Sequence, residues 1–350
     1  MTSASQTTPR TALIIGATGS FGLHALEALA KRGWRIRALA RDPAKGADRV
    51  GPRTPVEWVL GDAMDTNSVV SAADGVQLIV HAVNPPAYRN WKGTVLPMIE
   101  SSIAAARASG ARIVVPASVY NYAPDSGSEI GENAPQAPVT RKGKIRVEME
   151  RRLRAASQEG VKVLILRAGD FFGPAAPNSA LAWLTLRGKD RVTGVFRAGP
   201  ADVGHAFVYM PDLGETLARL VDAEDRLGAF EAFHVRGHWL ARSGELGEAI
   251  RRVTGRPGLP IIGFPWIVVH AAAPFVETFR ELLEMRYLWR RPIGLANAKL
   301  VAFLGEEPHT PLDAALRATL SDMGCLPDEA GHASDQPSTI CSNSAIAPTM

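Results

Sequence analysis

Three glycines near the N-terminus are the first residues whose spacing implies chemistry. Gly16, Gly19 and Gly22 recur at every third position of the run Gly16-Ala17-Thr18-Gly19-Ser20-Phe21-Gly22. An apolar stretch, residues 11–17, leads into the run, and an amphipathic stretch, residues 20–32, leaves it, which marks a strand-to-helix junction. At such a junction glycines let the backbone turn tightly and approach a pyrophosphate closely. The free N–H groups and positive dipole end of the helix then face the phosphates. The expected loop contacts are Gly16, Thr18, Gly19, Ser20, Phe21 and Gly22; the plainer alternative is a glycine turn that only packs helix on sheet. The next apolar stretch, residues 34–40, bears on which dinucleotide binds. An acid at its end would bind a ribose 2′-hydroxyl, and an arginine would accommodate a 2′-phosphate. Ala40 fills the acid's place, and Arg37 and Arg41 stand nearby. A guanidinium grips phosphate with a planar fork, so the reading is NADP in preference to NAD, unless these arginines are a solvated surface pair. Asp42 follows one position late and is expected to cap the turn before Pro43.

These residues need a scaffold, and the pattern of the chain supplies one. Strand-like runs at 11–17, 34–40, 56–62, 76–82, 111–118 and 161–169 alternate with helical stretches at 20–32, 65–73, 92–109 and 140–159. That alternation predicts βαβ units, and the near-continuous apolar runs predict a parallel sheet covered on both faces. Beyond residue 175 the pattern loosens: helices at 178–187, 211–223, 243–254, 265–288, 295–304 and 311–323, strands at 205–210, 230–235 and 260–263. Thr310 is expected to cap the last helix, with Pro311 in its first position. The expected organisation is a flexible N-terminus to residue 10, a nucleotide-binding domain over 11–175 completed by units up to about 235, a mainly substrate-binding part over 176–326 and a disordered tail over 327–350. The fold class is therefore α/β, a doubly wound parallel sheet with a smaller C-terminal α/β part.

Composition narrows the function further. The chain has 350 residues, 46% hydrophobic and 21% charged, which excludes disordered, collagenous and coiled-coil proteins. Lys and Arg number 39 against 35 Asp and Glu; a surplus of four over this length gives no reason to expect nucleic acid as a partner. Cys325 and Cys341 both lie near the C-terminus and cannot staple a core, which points to a reduced, cytoplasmic setting. The polar residues 1–10 do not resemble a signal peptide. The most apolar window, residues 259–276, is broken by three prolines and is read as buried core or pocket wall, not as a membrane contact. His234 and His238 lack companion ligands at useful spacing, so no metal is expected. A small molecule is the expected partner, with a homodimer possible.

Further motifs bring in a family. Gly61-Asp62 after the third strand, Pro116–Tyr122 after the fifth, Arg167–Pro174 after the sixth and the unit 205–221 join the glycine loop. Over about residues 10–235 the chain resembles the short-chain dehydrogenase/reductase superfamily in its extended and atypical branches, the epimerase/dehydratase-like and NmrA-like ones. The resemblance implies a Rossmann-type domain with Asp62 at the adenine, His81, Ala82 and Val83 lining the cofactor, Gly173-Pro174 closing the site beyond the nicotinamide, and Ser118 as the catalytic serine. It also implies a Tyr-x-x-x-Lys pair on the helix after the fifth strand. There Lys144 falls in the lysine position, to hold the nicotinamide ribose, and Glu148 follows at the family's spacing, but Thr140 stands in the tyrosine position. A threonine hydroxyl is too weak an acid for that work near neutral pH. Tyr88 and Lys92 show the same spacing after the wrong strand, which is read as coincidence. Tyr120, Tyr122, Lys144 acting directly and Asp170 are the remaining proton groups, and Asn84 and Tyr88 are expected to touch substrate. The other charges of the run 141–154 are expected to form a solvated face with internal ion pairs. The expected activity is NADP-dependent oxidoreduction of a carbonyl or hydroxyl, or a related epimerase or dehydratase step. The alternative is a catalytically silent NADP-binding regulator of the NmrA-like kind.

Overall fold

A computed structural model describes residues 10–326 except residue 53 and residues 86–90. The expected flexible N-terminus (but for Arg10), the expected tail 327–350 and Tyr88 lie outside the described residues. The strands are β1 (Thr11–Ile15), β2 (Arg35–Ala40), β3 (Val56–Leu60), β4 (Leu78–His81), β5 (Arg112–Ser118), β6 (Val163–Ala168), β7 (Asp170–Phe172), β8 (Thr185–Arg187), β9 (Val192–Arg197), β10 (His205–Tyr209), β11 (Phe230–His234), β12 (His238–Leu240) and β13 (Ile261–Gly263). The helices are α1 (Ser20–Lys31), α2 (Pro43–Val50), α3 (Thr66–Ala72), α4 (Trp91–Ser109), α5 (Arg141–Gln158), α6 (Ala180–Leu184), α7 (Met210–Asp222), α8 (Glu245–Thr254), α9 (Trp266–Ala272), α10 (Glu277–Met285), α11 (Ala298–Leu304) and α12 (Leu312–Asp322).

Seven strands form one parallel sheet in the order β11-β6-β5-β4-β1-β2-β3. Alternate residues of β1 feed two cores. Ala12 and Ile14 pack with α1 and α7, while Leu13 and Ile15 pack with α3, α4 and α5. Every residue of β6 is buried, as expected for a strand covered on both faces. The strand order reverses beside β1, between β2 and β4, and a crevice outside the carboxyl ends of the strands opens at such a switch point.

The smaller part contains elements that the sequence pattern did not foretell. Directly after β6 the chain passes Gly169, where a Cβ would stand 2.5 Å from the Ala206 carbonyl oxygen, and enters β7 alongside β10 in a three-stranded sheet with β12. The expected helix 178–187 is only α6; Thr185–Arg187 instead form β8, antiparallel to β9, with β13 on the other side of β9. Helix α2 was not foreseen; Asp42 caps it by accepting from the Lys45 amide at 3.1 Å, and Pro43 opens it. Thr310 does not cap α12. Its amide and hydroxyl both donate to Asp212, each at 2.7 Å, and α12 begins after Pro311. The apolar window 259–276 is core only in part: Leu259, Val269 and Ala273 are buried and Phe264 and Trp266 pack on the core around Leu259, but most of the stretch is exposed. No helix among the described residues is long and apolar enough to cross a membrane.

Candidate functional site

The glycine loop has the geometry of a backbone cradle. Gly16 holds φ +94°, and a Cβ there would stand 2.8 Å from the carbonyl carbon and oxygen of Ala82 at the end of β4. The Gly19 amide donates to the Gly16 carbonyl at 2.9 Å. A Cβ on Gly22 would lie 2.1 Å from that same carbonyl oxygen. Among the described residues no side chain caps the start of α1, which leaves its first amides available at the positive end of the helix dipole. Ser20 and Phe21 take structural places: the Ser20 hydroxyl donates to Ala175 O at 3.0 Å, and the Phe21 ring is in the core. His24 makes a 2.9 Å bond to Pro174 O, so the Gly173-Pro174 turn is tied to the first turns of α1.

At the far end of the crevice, Ala40 ends β2 and its carbonyl accepts from the Gly61 amide at 3.0 Å, which brings Asp62 alongside. Asp62 accepts from the Met64 amide at 3.0 Å. Arg41 is exposed at the mouth. Arg37 does not fit the expected phosphate contact. Its guanidinium pairs with Glu57 at 2.9 Å and donates to the carbonyls of Ala72 and Asp74 at 2.9 and 2.8 Å, where the C-terminal end of α3 attracts a cation. The sequence reading missed Arg49, whose Nε donates to the carbonyl of Thr18 in the glycine loop at 2.8 Å.

At the other end of the crevice, several expected groups are turned away. The His81 ring is buried and its Nδ1 lies 2.8 Å from the Ser102 hydroxyl of α4; burial, then the Arg146 charge, push its pKa down to about 3. The loop's close neighbours are instead the backbone of Ala82 and Val83, 2.8 and 3.0 Å from a Cβ on Gly16. Tyr122 is not in the crevice. Its hydroxyl lies 3.1 Å from His234 Nε2, its ring lies under the Arg167 guanidinium, and burial raises its pKa. Asp170 is paired with His205 at 2.8 Å, and that imidazole stacks on Trp289. Ser118 remains at the end of β5, its hydroxyl accepting a long 3.4 Å bond from the Tyr120 amide. Half-buried Tyr120 sits between β5 and α5, where a Cβ on Gly143 would stand 2.3 Å from its carbonyl oxygen.

The phase of α5 changes the reading most. Thr140 is the buried N-cap, accepting from the Gly143 amide at 3.0 Å. Lys144 is exposed, on the helix face opposite the buried residues Lys142, Met149, Glu150 and Leu153. Glu148 also faces outward, its pKa lowered to about 2 by Arg151 and Arg152. The glutamate that turns inward is Glu150, bonded to Arg167 of β6 at 2.6 and 2.8 Å and to Asn121 at 2.8 Å. A lysine position four residues before the inward glutamate is Arg146, and a tyrosine position four before that is Lys142. Arg146 donates to Asn84 Oδ1 at 3.1 Å and lies over the Trp91 ring at 4.9 Å. The Lys142 side chain is almost wholly buried and ion-paired with Glu281 and, at 3.6 Å, Glu284, both on α10. The run 141–154 is therefore solvated on one face only. Tyr287, also missed, packs on the cluster around Val119 and Tyr122. Its hydroxyl is buried without a hydrogen-bond partner among the described residues, and burial with the nearby charges of Glu284 and Asp170 raises its pKa.

With this geometry in hand, known proteins give a context. Residues 16–191 match a family model described as NAD(P)H-binding. The chain is 30% identical over 200 residues to 3-diazoavenalumate denitrifying reductase of Streptomyces, covering 51% of this chain and 62% of that protein, less than two thirds of its length. It is 27% identical over 295 residues to sterol demethylase protein B of Methylococcus capsulatus, covering 80% and 84%. The structure of MoeE5 in complex with UDP-glucose and NAD shares the fold, with a TM-score of 0.69 over 89% of this chain and 98% of that one at 19% identity.

Proposed function

This chain belongs to the NAD(P)H-binding family, and on that premise we propose that it is an NADP-dependent oxidoreductase of the short-chain dehydrogenase/reductase type, reducing the carbonyl of a partly apolar small molecule. The cradle fits a dinucleotide: a Cβ at Gly16 or Gly22 would run into backbone, and Gly19 is exposed where a pyrophosphate would approach. Arg41 is free of the engagement that ties up Arg37, and no acid stands at residue 40, which supports a 2′-phosphate. Asp62 lies where the adenine would rest.

The observation that carries the enzymatic reading is the inward face of α5, where Lys142 and Arg146 stand one turn apart at the carboxyl end of the sheet. The nicotinamide, when bound, supplies the hydride. Arg146, steered by Asn84 and Trp91, is assigned the ribose contact in place of Lys144. Lys142 is assigned the proton transfer in place of a tyrosine: its ammonium, ion-paired with Glu281 and Glu284, would give a proton to the carbonyl oxygen. The Ser118 and Tyr287 hydroxyls orient that oxygen. An apolar substrate is supported by the likeness to a protein named for sterol demethylation.

The carboxylate cover on Lys142 favours a second reading, the silent NADP-binding regulator, because α10 occupies the group that substrate would need. A fluorescence titration with NADPH and NADH, then NADPH oxidation against a panel of carbonyl compounds, separates the two. NADPH binding about tenfold tighter than NADH (~1.4 kcal/mol), lost in Arg41→Ala, is expected. Oxidation that Lys142→Met abolishes while binding persists supports the enzyme; binding with no oxidation of any carbonyl supports the regulator. Equal affinity for both nucleotides refutes the 2′-phosphate assignment.

A further inference from the structure

The longest apolar stretch of the chain lies on the outside of the molecule. Residues 257–276 contain no Asp, Glu, Lys or Arg. Ile267 is 81% exposed and Phe275 88%, and Ile262, Val268 and Val276 are exposed beside them. Side chains this free of neighbours stand on a protrusion, the connection through α9 into α10, not in a groove. Water penalises such a surface, and soluble monomers seldom gather so many large apolar groups at one place unless something covers them.

The charges around the protrusion indicate what that is. Arg280 donates to the Pro274 carbonyl at 3.2 Å; Arg286 lies over the Trp266 ring at 4.8 Å and 2.7 Å from the His270 imidazole. Neither guanidinium has a carboxylate partner among the described residues, and exposed Arg290 and Arg291 follow. Glu277 adjoins the patch, but Glu281 and Glu284 are already held by Lys142 and Arg141. Exposed apolar side chains rimmed by arginines match the boundary between acyl chains and phosphate headgroups. A second copy of the chain fits less well. A two-fold contact through this patch would bring its arginines against their own copies, and side chains that protrude this far need a recess to enter.

We propose that the protrusion 262–276 docks on the surface of an anionic lipid bilayer, with Ile267 and Phe275 inserted at the headgroup boundary and Arg280 and Arg286 on lipid phosphates. The site is peripheral, not spanning. It also lies one helix away from the crevice, because α10 runs from the protrusion to the carboxylates on Lys142.

Co-sedimentation of the full chain with phosphatidylcholine vesicles containing phosphatidylglycerol, and with phosphatidylcholine alone, tests this. Binding to the anionic vesicles is expected, weaker in high salt and without phosphatidylglycerol. Ile267→Ser with Phe275→Ser should lower it about tenfold, and Arg280→Gln should lower it on anionic vesicles only. The double variant should keep the thermal midpoint and NADPH affinity of the parent, so a failure of the cofactor reading shows separately. A parent protein that stays in the supernatant, or a double variant that pellets like the parent, overturns the proposal. So does a solution dimer that the double variant splits, which would make a second copy the cover.

Discussion

Substitutions at Gly22 and Gly19 should separate the folding role of the glycine loop from its binding role. In Gly22→Ala the new Cβ would sit 2.1 Å from the Gly16 carbonyl oxygen, 2.8 Å from its carbon and 3.0 Å from Ala17 Cα. All three are backbone atoms, so no side chain can swing aside. Helix α1 cannot retreat either: on its other side it lies against α7, where a Cβ on Gly214 would already be 2.6 Å from the His24 carbonyl oxygen. Ordinary contact therefore requires the helix or the loop to shift by about 1 Å, and overpacking of that kind costs about 1–3 kcal/mol, here toward the upper end. At about 2–4 °C per kcal/mol the thermal midpoint should fall by roughly 5–10 °C. In Gly19→Ala the Cβ meets the Gly16 carbonyl oxygen only at 3.3 Å and otherwise points outward. Its midpoint should stay within about 2 °C of the parent, while the methyl group stands where the pyrophosphate must approach and lowers NADPH affinity at least about tenfold. Calorimetry and a fluorescence titration read the two effects separately. A Gly22→Ala protein with the parent's midpoint, or a Gly19→Ala protein with the parent's NADPH affinity, would refute the cradle.

Two further predictions concern buried charge. Glu150→Ala should cost about 3–5 kcal/mol in urea denaturation, because it strands the Arg167 guanidinium in the core; an effect below about 1 kcal/mol would mean that the pair does not fix α5 against β6. His81 has its pKa lowered to about 3 in the fold, so the unfolded chain takes up its proton first. Its contribution is complete above the ordinary histidine value and is lost as pH falls below about 6.5, at about 1.4 kcal/mol per pH unit. His234 and His238, both lowered to about 4, act in the same direction. Denaturation at pH 7 and pH 5 should show His81→Asn with a shallower acid slope than the parent; equal slopes would place the proton elsewhere.

The nucleotide-binding half was legible because its signals are dense and local. The apolar run of β1, the glycines after it and the alternation of strands with helices each follow from residues a few positions apart. The candidate site was less legible because its decisive contacts are long-range. Glu148 and Glu150 both follow a basic residue by four, and only the partner Arg167, seventeen residues on, shows which one faces the sheet. Arg37 and Arg41 are equivalent as sequence, but one is captured by Glu57 and the end of α3. Tyr122 looked available until His234, brought next to β6 by β11, took its hydroxyl. Strands β7 and β12 have three residues each, too few to show a period. The window 259–276 gave a true signal of apolarity, but apolarity alone does not show whether the chain folds a segment inward, and most of this one is exposed.

The position of β11 at the outer edge of the large sheet governs how this chain can be made. Strand β6, buried along its whole length, has β5 on one side and β11 on the other, and β11 ends at His234. Arg112 in β5 waits for the same segment: its buried guanidinium donates to the Gly228 carbonyl at 3.0 Å and pairs with Glu224 at 2.7 Å. A growing chain therefore carries β6 as an open apolar edge, and Arg112 without its counter-charge, until residues 224–234 leave the ribosome. At about 5–20 residues per second that interval lasts several seconds. Over that interval the half-made sheet presents an open strand edge, a ready template for pairing with another chain. The nucleotide-binding half, although it is encoded first, becomes a finished body only after part of the other half has been translated.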